Sequence, residues 1–114
     1  MKIEKFEDII AWQKGRELIK KVYSDFKTCR DFSFRDQIQR AVISICNNLA
    51  EGFERKSEKE LSHFLFIAKG SCGELRSMLY IASDLGYIGS KQFSEAYTLS
   101  SEISKILAGF IKSL

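Results

Sequence analysis

The sequence has 114 residues, 45% of them hydrophobic and 29% charged, which is typical of a single globular domain. A membrane-spanning chain is not expected, because no apolar run approaches the roughly 18–20 residues that cross a bilayer. The first ten residues include acids where a signal peptide needs an unbroken apolar core, so we expect a cytoplasmic protein. Proline is absent, which removes the strongest helix breaker and favours an all-α fold.

The formal net charge of +3 is distributed unevenly along the chain. Residues 1–56 carry 12 basic and 9 acidic side chains, whereas residues 57–114 carry 6 of each. This excess is weaker than that of a dedicated nucleic-acid-binding domain, whose pI usually exceeds about 9.

The first predicted helix runs from about Asp8 to Thr28 and has one apolar face with basic side chains along both edges. The apolar face comprises Ala11, Trp12, Gly15, Leu18, Ile19, Val22, Tyr23 and Phe26. One edge carries Arg16, Lys20 and Lys27, and the other carries Lys14 and Lys21. Such side chains either lay their stems over the rim of the core and hold their charges in water, or contact phosphates or an acidic partner.

The second helix is predicted over residues 34–53, after the connection Cys29–Phe32 and with Ser33 as its N-cap. Its apolar positions cover more than half of its circumference, because Ile43, Cys46 and Ala50 extend the surface beyond the core rows. A helix of this kind needs cover on more than one side. We therefore expect it to contribute to a subunit interface as well as to the core.

One narrow polar stripe interrupts this apolar surface. It consists of Arg40, Ser44, Asn47 and Glu51, with Asn48 beside it. Spacings of four, three and four residues keep the stripe on one helical face. It is either a solvated face with local helix contacts, or a polar network at a subunit interface or around a central opening. The sequence leaves both interpretations open.

The third helix is predicted over residues 58–85. Ser57 stands three residues before Glu60, which is the capping-box spacing in which each side chain satisfies the other residue's backbone N–H. Gly86 can supply the left-handed residue that ends the helix. A group of small residues on one side would let a neighbouring helix approach closely: Gly70, Gly73 and Ser77.

The fourth helix is predicted over residues 91–112, with Ser90 as its N-cap. The connections between the four helices are short, so helices that follow each other in the sequence must run antiparallel. Residues 1–114 therefore predict one all-α domain, an antiparallel up-down-up-down four-helix bundle.

The sequence offers little for catalysis. Glu60 and His63 have the E-x-x-H spacing of di-iron bundles, but such sites need two of these motifs, and the chain has one histidine, which points away from the core rows. None of the three cysteines stands in a C-x-x-C spacing: Cys29, Cys46 and Cys72. We expect no enzymatic activity, no metal or other cofactor and no small-molecule substrate.

Arg55 and Lys56 form a basic corner just after the second helix. Cations at a helix C-terminus are favoured by the helix dipole, which explains both residues without a ligand. An exposed basic corner can also meet RNA phosphates. Together with one edge of the first helix, this corner completes the candidate contacts for nucleic acid or a partner: Arg16, Lys20, Lys27, Arg55 and Lys56.

Three groups of residues together resemble a known family. They are Phe6-Glu-Asp-Ile-Ile-Ala-Trp12-Gln13-Lys14; then Gln37-Ile-Gln-Arg40-Ala-Val-Ile-Ser44-Ile with Asn48-Leu-Ala-Glu51-Gly52-Phe53 and Arg55-Lys-Ser57; and finally Glu60, Phe64-Leu65, Gly70-Ser71, Glu74-Leu75 and Asp84-Leu-Gly86-Tyr87-Ile88. The combination resembles the bacterial four-helix-bundle proteins encoded by intervening sequences within the 23S ribosomal RNA gene. The resemblance covers residues 6–88 and is weaker in the last helix.

The resemblance implies an up-down bundle that assembles as a ring-like homopentamer and has no catalytic activity. A related protein, the accessory subunit of diversity-generating retroelements, is a basic pentamer that binds a reverse transcriptase and nucleic acid. This chain departs from the family by having Cys46 where proline is common, and by its modest charge. The matched positions are implied to be structural or assembly residues: Trp12, Arg40, Asn48, Glu51, Gly52, Arg55 and Ser57.

The expected function is therefore that of a non-enzymatic homo-oligomer associated with RNA or with a nucleic-acid-processing protein. The alternative is a protein-binding scaffold or accessory subunit, for example to a reverse transcriptase, that does not itself contact nucleic acid.

Overall fold

Four α-helices form the protein, which is described by a computed structural model over residues 3–114. A short 3-10 turn at Phe6–Asp8 comes first, and the helices are α1 (Ile10–Asp25), α2 (Phe32–Phe53), α3 (Glu58–Asp84) and α4 (Ser90–Ser113). No strand occurs within residues 3–114. Each helix packs on the next one in the sequence, and α4 returns to α1, which gives a bundle of 43 × 22 × 19 Å. The predicted all-α four-helix bundle is confirmed.

Every helix contributes aliphatic side chains to one core at spacings of three and four residues. The fully buried aliphatic side chains are Leu18, Val22, Ile38, Val42, Ile45, Leu49, Leu65, Leu75, Leu79, Ile103 and Leu107. Complete burial of one such side chain contributes about 1.5–3 kcal/mol, so this core is the main source of stability. Tyr23 was predicted to belong to it, but the ring is 39% exposed because it stands one residue, or about 100°, around α1 from the buried Val22.

Part of the broad apolar surface of α2 is covered by α1 of the same chain. Cys46 is buried against α1, where its Sγ lies 3.5 Å from the carbonyl oxygen of Trp12. A Cβ on Gly15 would lie 2.6 Å from the same Sγ, so the two helices meet here at a glycine. Ile43 and Ala50 are half-buried. Part of the broad apolar surface is thus covered within the chain, and the contribution of α2 to a subunit interface stays a prediction.

The ends of α1 and the start of α2 differ from the prediction. The α-helix begins at Ile10, after the 3-10 turn, and ends at Asp25 instead of Thr28. Its successor begins at Phe32 and is capped by Asp31, whose side chain accepts a hydrogen bond from the backbone N–H of Phe34 at 3.2 Å. The predicted cap, Ser33, lies inside the helix.

The caps of α3 agree better with the prediction. Ser57 accepts a hydrogen bond from the backbone N–H of Glu60 at 3.2 Å. The Glu60 carboxylate meets the Ser57 hydroxyl at 3.2 Å instead of the backbone N–H, so only half of the predicted capping box forms. Gly86 has a φ of 75°, which confirms the left-handed residue just past the end of α3. Gly89, and not Ser90, is the N-cap of α4, and its N–H donates to Gln92 Oε1 at 2.9 Å.

Candidate nucleic-acid interface

The two basic edges of α1 differ in how far their charges are neutralised. On one edge, Lys14 forms an ion pair with Glu102 at 3.0 Å. Lys21 pairs with Glu95 at 3.0 Å and with Asp25 at 3.1 Å. This edge faces α4, and its charges are therefore largely neutralised by carboxylates within the bundle.

The pairing also shifts the pKa of Lys21. Desolvation opposes the charged form, but the hydrogen bonds to Glu95 and Asp25 outweigh it and raise the pKa of the amine. The same hydrogen bond lowers the pKa of the Glu95 carboxyl. These cations hold α1 against α4 and are poor candidates for contacts to a ligand.

The other edge of α1 keeps its positive charge available. Arg16, Lys20 and Lys27 are exposed, and within residues 3–114 none of them forms an ion pair. Arg16 and Lys20 stand four residues apart on one side of α1, and Lys27 follows in the turn just after the helix ends. Together the three side chains form a row. It is a line of uncompensated cations on one surface of the bundle.

Two residues of α2 extend this line. Arg35 lies eleven residues, or about three turns, before Cys46 and so shares the face of α2 that packs on α1. Phe32 stands three residues before Arg35, and the Arg35 guanidinium lies 4.8 Å from the centre of its ring. Because α1 and α2 are antiparallel and joined by a short turn, Phe32 lies near the Lys27 end of the row. We call this surface the α1–α2 seam; it comprises Arg16, Lys20, Tyr23, Lys27, Phe32 and Arg35.

Sequence reasoning missed Phe32 and Arg35. It assigned Phe32 to the first connection and did not select Arg35, although the eleven-residue spacing to Cys46 places both arginine and cysteine on one face. A similar contact between an arginine and an aromatic ring occurs at the other end of the seam, where the Arg16 guanidinium lies 5.3 Å from the ring centre of Trp12.

The two residues of the predicted basic corner after α2, Arg55 and Lys56, have different surroundings in the structure. Arg55 pairs with Glu51 at 2.6 Å and with Glu60 at 3.6 Å, and its guanidinium lies 4.8 Å from the ring centre of Phe64. These contacts tie the end of α2 to the start of α3, so Arg55 mainly stabilises the corner. Lys56 is exposed and forms no ion pair within the described part of the chain.

The polar stripe of α2 lies on the outer side of the bundle and leans towards α3. Asn47 and Glu51 are exposed, whereas Ser44 and Asn48 are half-buried. Asn48 donates to the Ser44 hydroxyl at 2.8 Å, and the Ser71 hydroxyl of α3 donates to the same oxygen at 2.9 Å. A polar network thus exists, but it joins two helices of one protomer. A role of the stripe between subunits stays a prediction.

Arg40, the first residue of the stripe, lies in a surface groove of about 610 Å³ between α2 and α3. The groove also exposes Asp36 and Glu74, which balance the charge of the arginine. It is therefore a mixed polar surface and a weaker candidate for a polyanion than the α1–α2 seam.

The outer face of α3 exposes several large apolar side chains. They are Phe66, Ile67, Ile81 and Tyr80, whose ring also packs against α4, together with Leu85 just past the helix end, and their exposures lie between 39% and 59%. Among them stand Gly70 and Gly73, and no residue of another helix in the described chain comes within 4 Å of a Cβ placed on either. The close helix approach predicted at these glycines does not occur within the described chain.

Every helix in residues 3–114 falls short of the length or apolarity that a bilayer crossing requires.

His63 is exposed and packs edge-on against Phe64 with ring centres 5.3 Å apart. Residues 3–114 contain no group of three or more side chains suited to hold a metal ion.

Comparison with known proteins identifies the family. Residues 7–109 match the sequence model of the family described as 23S rRNA-intervening sequence protein. The chain belongs to this family. The family resemblance read from the residue landmarks is confirmed, and the match includes most of α4, where the landmarks were weakest.

A solved structure supports the same assignment. It is a protein of unknown function from the S23 ribosomal protein family of Bacteroides thetaiotaomicron VPI-5482. The two chains are 25% identical, the similarity covers 90% of this chain and 99% of the other, and the TM-score is 0.86. No curated protein matches the sequence. The comparisons therefore give the family and the fold, and neither description names an activity.

Proposed function

We propose that this member of the 23S rRNA-intervening sequence protein family is a cytoplasmic, non-catalytic homo-oligomer that binds RNA through the α1–α2 seam. The observation that carries the proposal is the contrast between the two edges of α1. Lys14 and Lys21 are neutralised by carboxylates of α4 and of α1 itself, whereas Arg16, Lys20 and Lys27 are not. Uncompensated cations in a row gain free energy from phosphates, because binding releases the counterions that surround the nucleic acid.

The outer face of α3 supports the assembly part of the proposal. Its exposed apolar side chains and open glycines suit the close approach of a helix from a second copy. A homopentamer is the assembly that the family resemblance implies. Static light scattering would then give a mass five times that of one chain, and a monomer at micromolar concentration would contradict this part of the proposal.

RNA binding is tested by removing the three uncompensated charges together. In filter binding to structured ribosomal RNA at several salt concentrations, the wild-type affinity should fall steeply as salt rises. The triple variant Arg16→Gln, Lys20→Gln, Lys27→Gln should bind more weakly and lower the slope of log affinity against log salt by about 2–3 per contacting protomer.

A matched control removes the same number of charges elsewhere. Lys91, Lys105 and Lys112 are exposed on α4 and form no ion pair within residues 3–114, so their replacement by glutamine changes the net charge equally. This control should retain most of the affinity. Equal losses of affinity in the two triple variants would show that RNA responds to the net charge of the protein and not to the seam. Absence of binding at low salt would overturn the proposal.

The alternative function, a protein-binding scaffold or accessory subunit, is favoured by the apolar outer face of α3 taken alone. It predicts a protein partner that co-purifies with the chain and covers that face, together with indifference to RNA. The salt series above distinguishes the two functions, because a scaffold would give no salt-dependent RNA binding.

A further inference from the structure

The cations of the α1–α2 seam alternate with aromatic rings that reach solvent. Phe32 is 58% exposed and Tyr23 is 39% exposed. Tyr23 lies on α1 between Lys20 and the turn that carries Lys27, and Phe32 follows that turn at the first position of α2. A basic groove that also offers aromatic rings is typical of surfaces that bind unpaired nucleotides, because every base has a face that can stack.

Phe32 stands on a rigid part of the backbone. The residue before it, Asp31, accepts hydrogen bonds from the Phe34 N–H at 3.2 Å and from the Tyr87 hydroxyl at 2.7 Å. The Phe34 ring in turn packs against Phe26 and Tyr87, with ring centres 6.1 Å and 5.4 Å apart. These contacts hold the backbone beside Phe32 in place before any ligand arrives, which lowers the entropy lost on binding.

Arg35 beside this ring forms only a long ion pair. The Asp36 carboxylate lies 3.9 Å from Nε, beyond hydrogen-bonding distance, and is itself mostly exposed, so it neutralises the guanidinium only in part. Within residues 3–114 that nitrogen is buried and has no hydrogen-bond partner. The positive charge at the Phe32 end of the seam therefore adds to that of the α1 row.

We infer that the α1–α2 seam binds single-stranded RNA, with an unpaired base stacked on Phe32 and the phosphates following Lys27, Lys20 and Arg16. This inference rests on the proposed function and specifies the form of RNA that the seam takes. Bases in a duplex have both faces covered by their neighbours, so a duplex can use the cations but not the rings. An apolar protein partner is a poorer match, because Arg16, Lys20 and Lys27, which have no carboxylate partner within the described residues, interrupt the surface at steps of four and seven residues.

The test is fluorescence anisotropy with a single-stranded oligouridine 12-mer and a 12-base-pair RNA duplex, each at low and moderate salt. Wild-type protein should bind the single strand more tightly than the duplex. Phe32→Ala and Phe32→Leu should each weaken binding of the single strand by roughly 5- to 100-fold and leave duplex binding unchanged, since leucine keeps an apolar side chain but has no stacking face. Phe32→Trp should retain the wild-type affinity.

A second readout reports stacking directly. A 2-aminopurine placed in the single strand should lose fluorescence on binding to the wild type and to Phe32→Trp, but less on binding to Phe32→Leu. Because Phe32 is exposed, the variants should keep the wild-type thermal stability, and this is measured alongside.

The outcomes separate the inference from the proposed function. If RNA binds with a salt slope but Phe32→Ala binds the single strand as tightly as the wild type, or the duplex binds as tightly as the strand, the stacking inference is wrong and the proposed function stands. If neither RNA binds at low salt, the proposed function fails, and the inference fails with it.

Discussion

At two buried glycines, a neighbouring helix leaves no room for a side chain. A Cβ on Gly15 would lie 2.6 Å from Cys46 Sγ, and a Cβ on Gly52 would lie 2.7 Å from the Cβ of Phe64. The first neighbour is the end of a side chain, whereas the second is fixed to the backbone of α3. The contact at Gly52 is therefore the less forgiving one, and it holds the end of α2 against the first turns of α3.

Gly52→Ala should destabilise the protein by about 1–3 kcal/mol, because the added methyl group forces α2 and α3 apart. Gly109→Ala is the matched control, since Gly109 is exposed on α4 and no atom lies within 4 Å of its added Cβ. That variant should gain up to about 1 kcal/mol from helix propensity. Urea unfolding at one protein concentration measures both, and equal effects of the two substitutions would contradict the packing argument.

The sequence identified both basic edges of α1 but could not tell which one was neutralised. Lys21 and its partner Glu95 are 74 residues apart, and only the return of α4 to α1 brings them together. A wheel drawn for α1 alone treats Lys14 and Lys20 alike. The basic residues of the first helix could therefore be predicted from the sequence. Which of them are neutralised could not, because the carboxylates that pair with Lys14 and Lys21 include those of α4, at the other end of the chain.

One polar contact joins the two connections at the same end of the bundle. Asp31 caps α2 and accepts a hydrogen bond of 2.7 Å from Tyr87, which lies between α3 and α4. The Tyr87 hydroxyl is the main cause that lowers the pKa of Asp31, and the Phe34 N–H adds to it. The same hydrogen bond raises the pKa of Tyr87.

Tyr87→Phe should lower the thermal stability in a pH-dependent way. Asp31 has a lower pKa in the folded state than its ordinary 3.8, so its contribution is present above that value and lost as the pH falls through the lowered pKa. Tyr87 has a raised pKa, so its contribution is present below the ordinary 10.0 and lost as the pH rises through the raised pKa. The difference in Tm between wild type and variant should be largest between these values and shrink outside them.

Tyr23→Phe provides the control for this prediction. It removes the same hydroxyl from an exposed tyrosine that makes no side-chain hydrogen bond within residues 3–114. Its Tm should follow that of the wild type at every pH. A Tyr87→Phe difference that does not change with pH would show that the pair contributes packing alone.

The same contact explains why the helix ends were harder to predict than the helices. The four apolar repeats are local, so the number of helices and their faces could be predicted from spacing alone. Ser33 and Asp31 are both good N-caps by residue type, and the choice between them depends on a turn that Tyr87 helps to fix. A residue 56 positions away thus determines where α2 begins.

The two proposed surfaces lie on different faces of the bundle. The α1–α2 seam and the outer face of α3 are separated because α1 and α3 occupy one diagonal of the bundle, and their backbones do not meet within the described residues. Copies that associate through α3 would therefore leave the seam open. Several seams in one assembly could then engage one RNA, which would raise the overall affinity by increasing the effective concentration.

The double variant Phe66→Glu, Ile81→Glu should dissociate the assembly. Both side chains are exposed in the single chain, at 59% and 44%, so their replacement should leave the bundle folded. Buried in an interface, two carboxylates on each copy would carry a desolvation cost of several kcal/mol without partners. Light scattering should give the wild-type assembly mass for Ile10→Glu, which changes a 53% exposed side chain on α1, and a smaller mass for the double variant. If the double variant is folded by circular dichroism and keeps the wild-type mass, the subunits associate through another surface than α3.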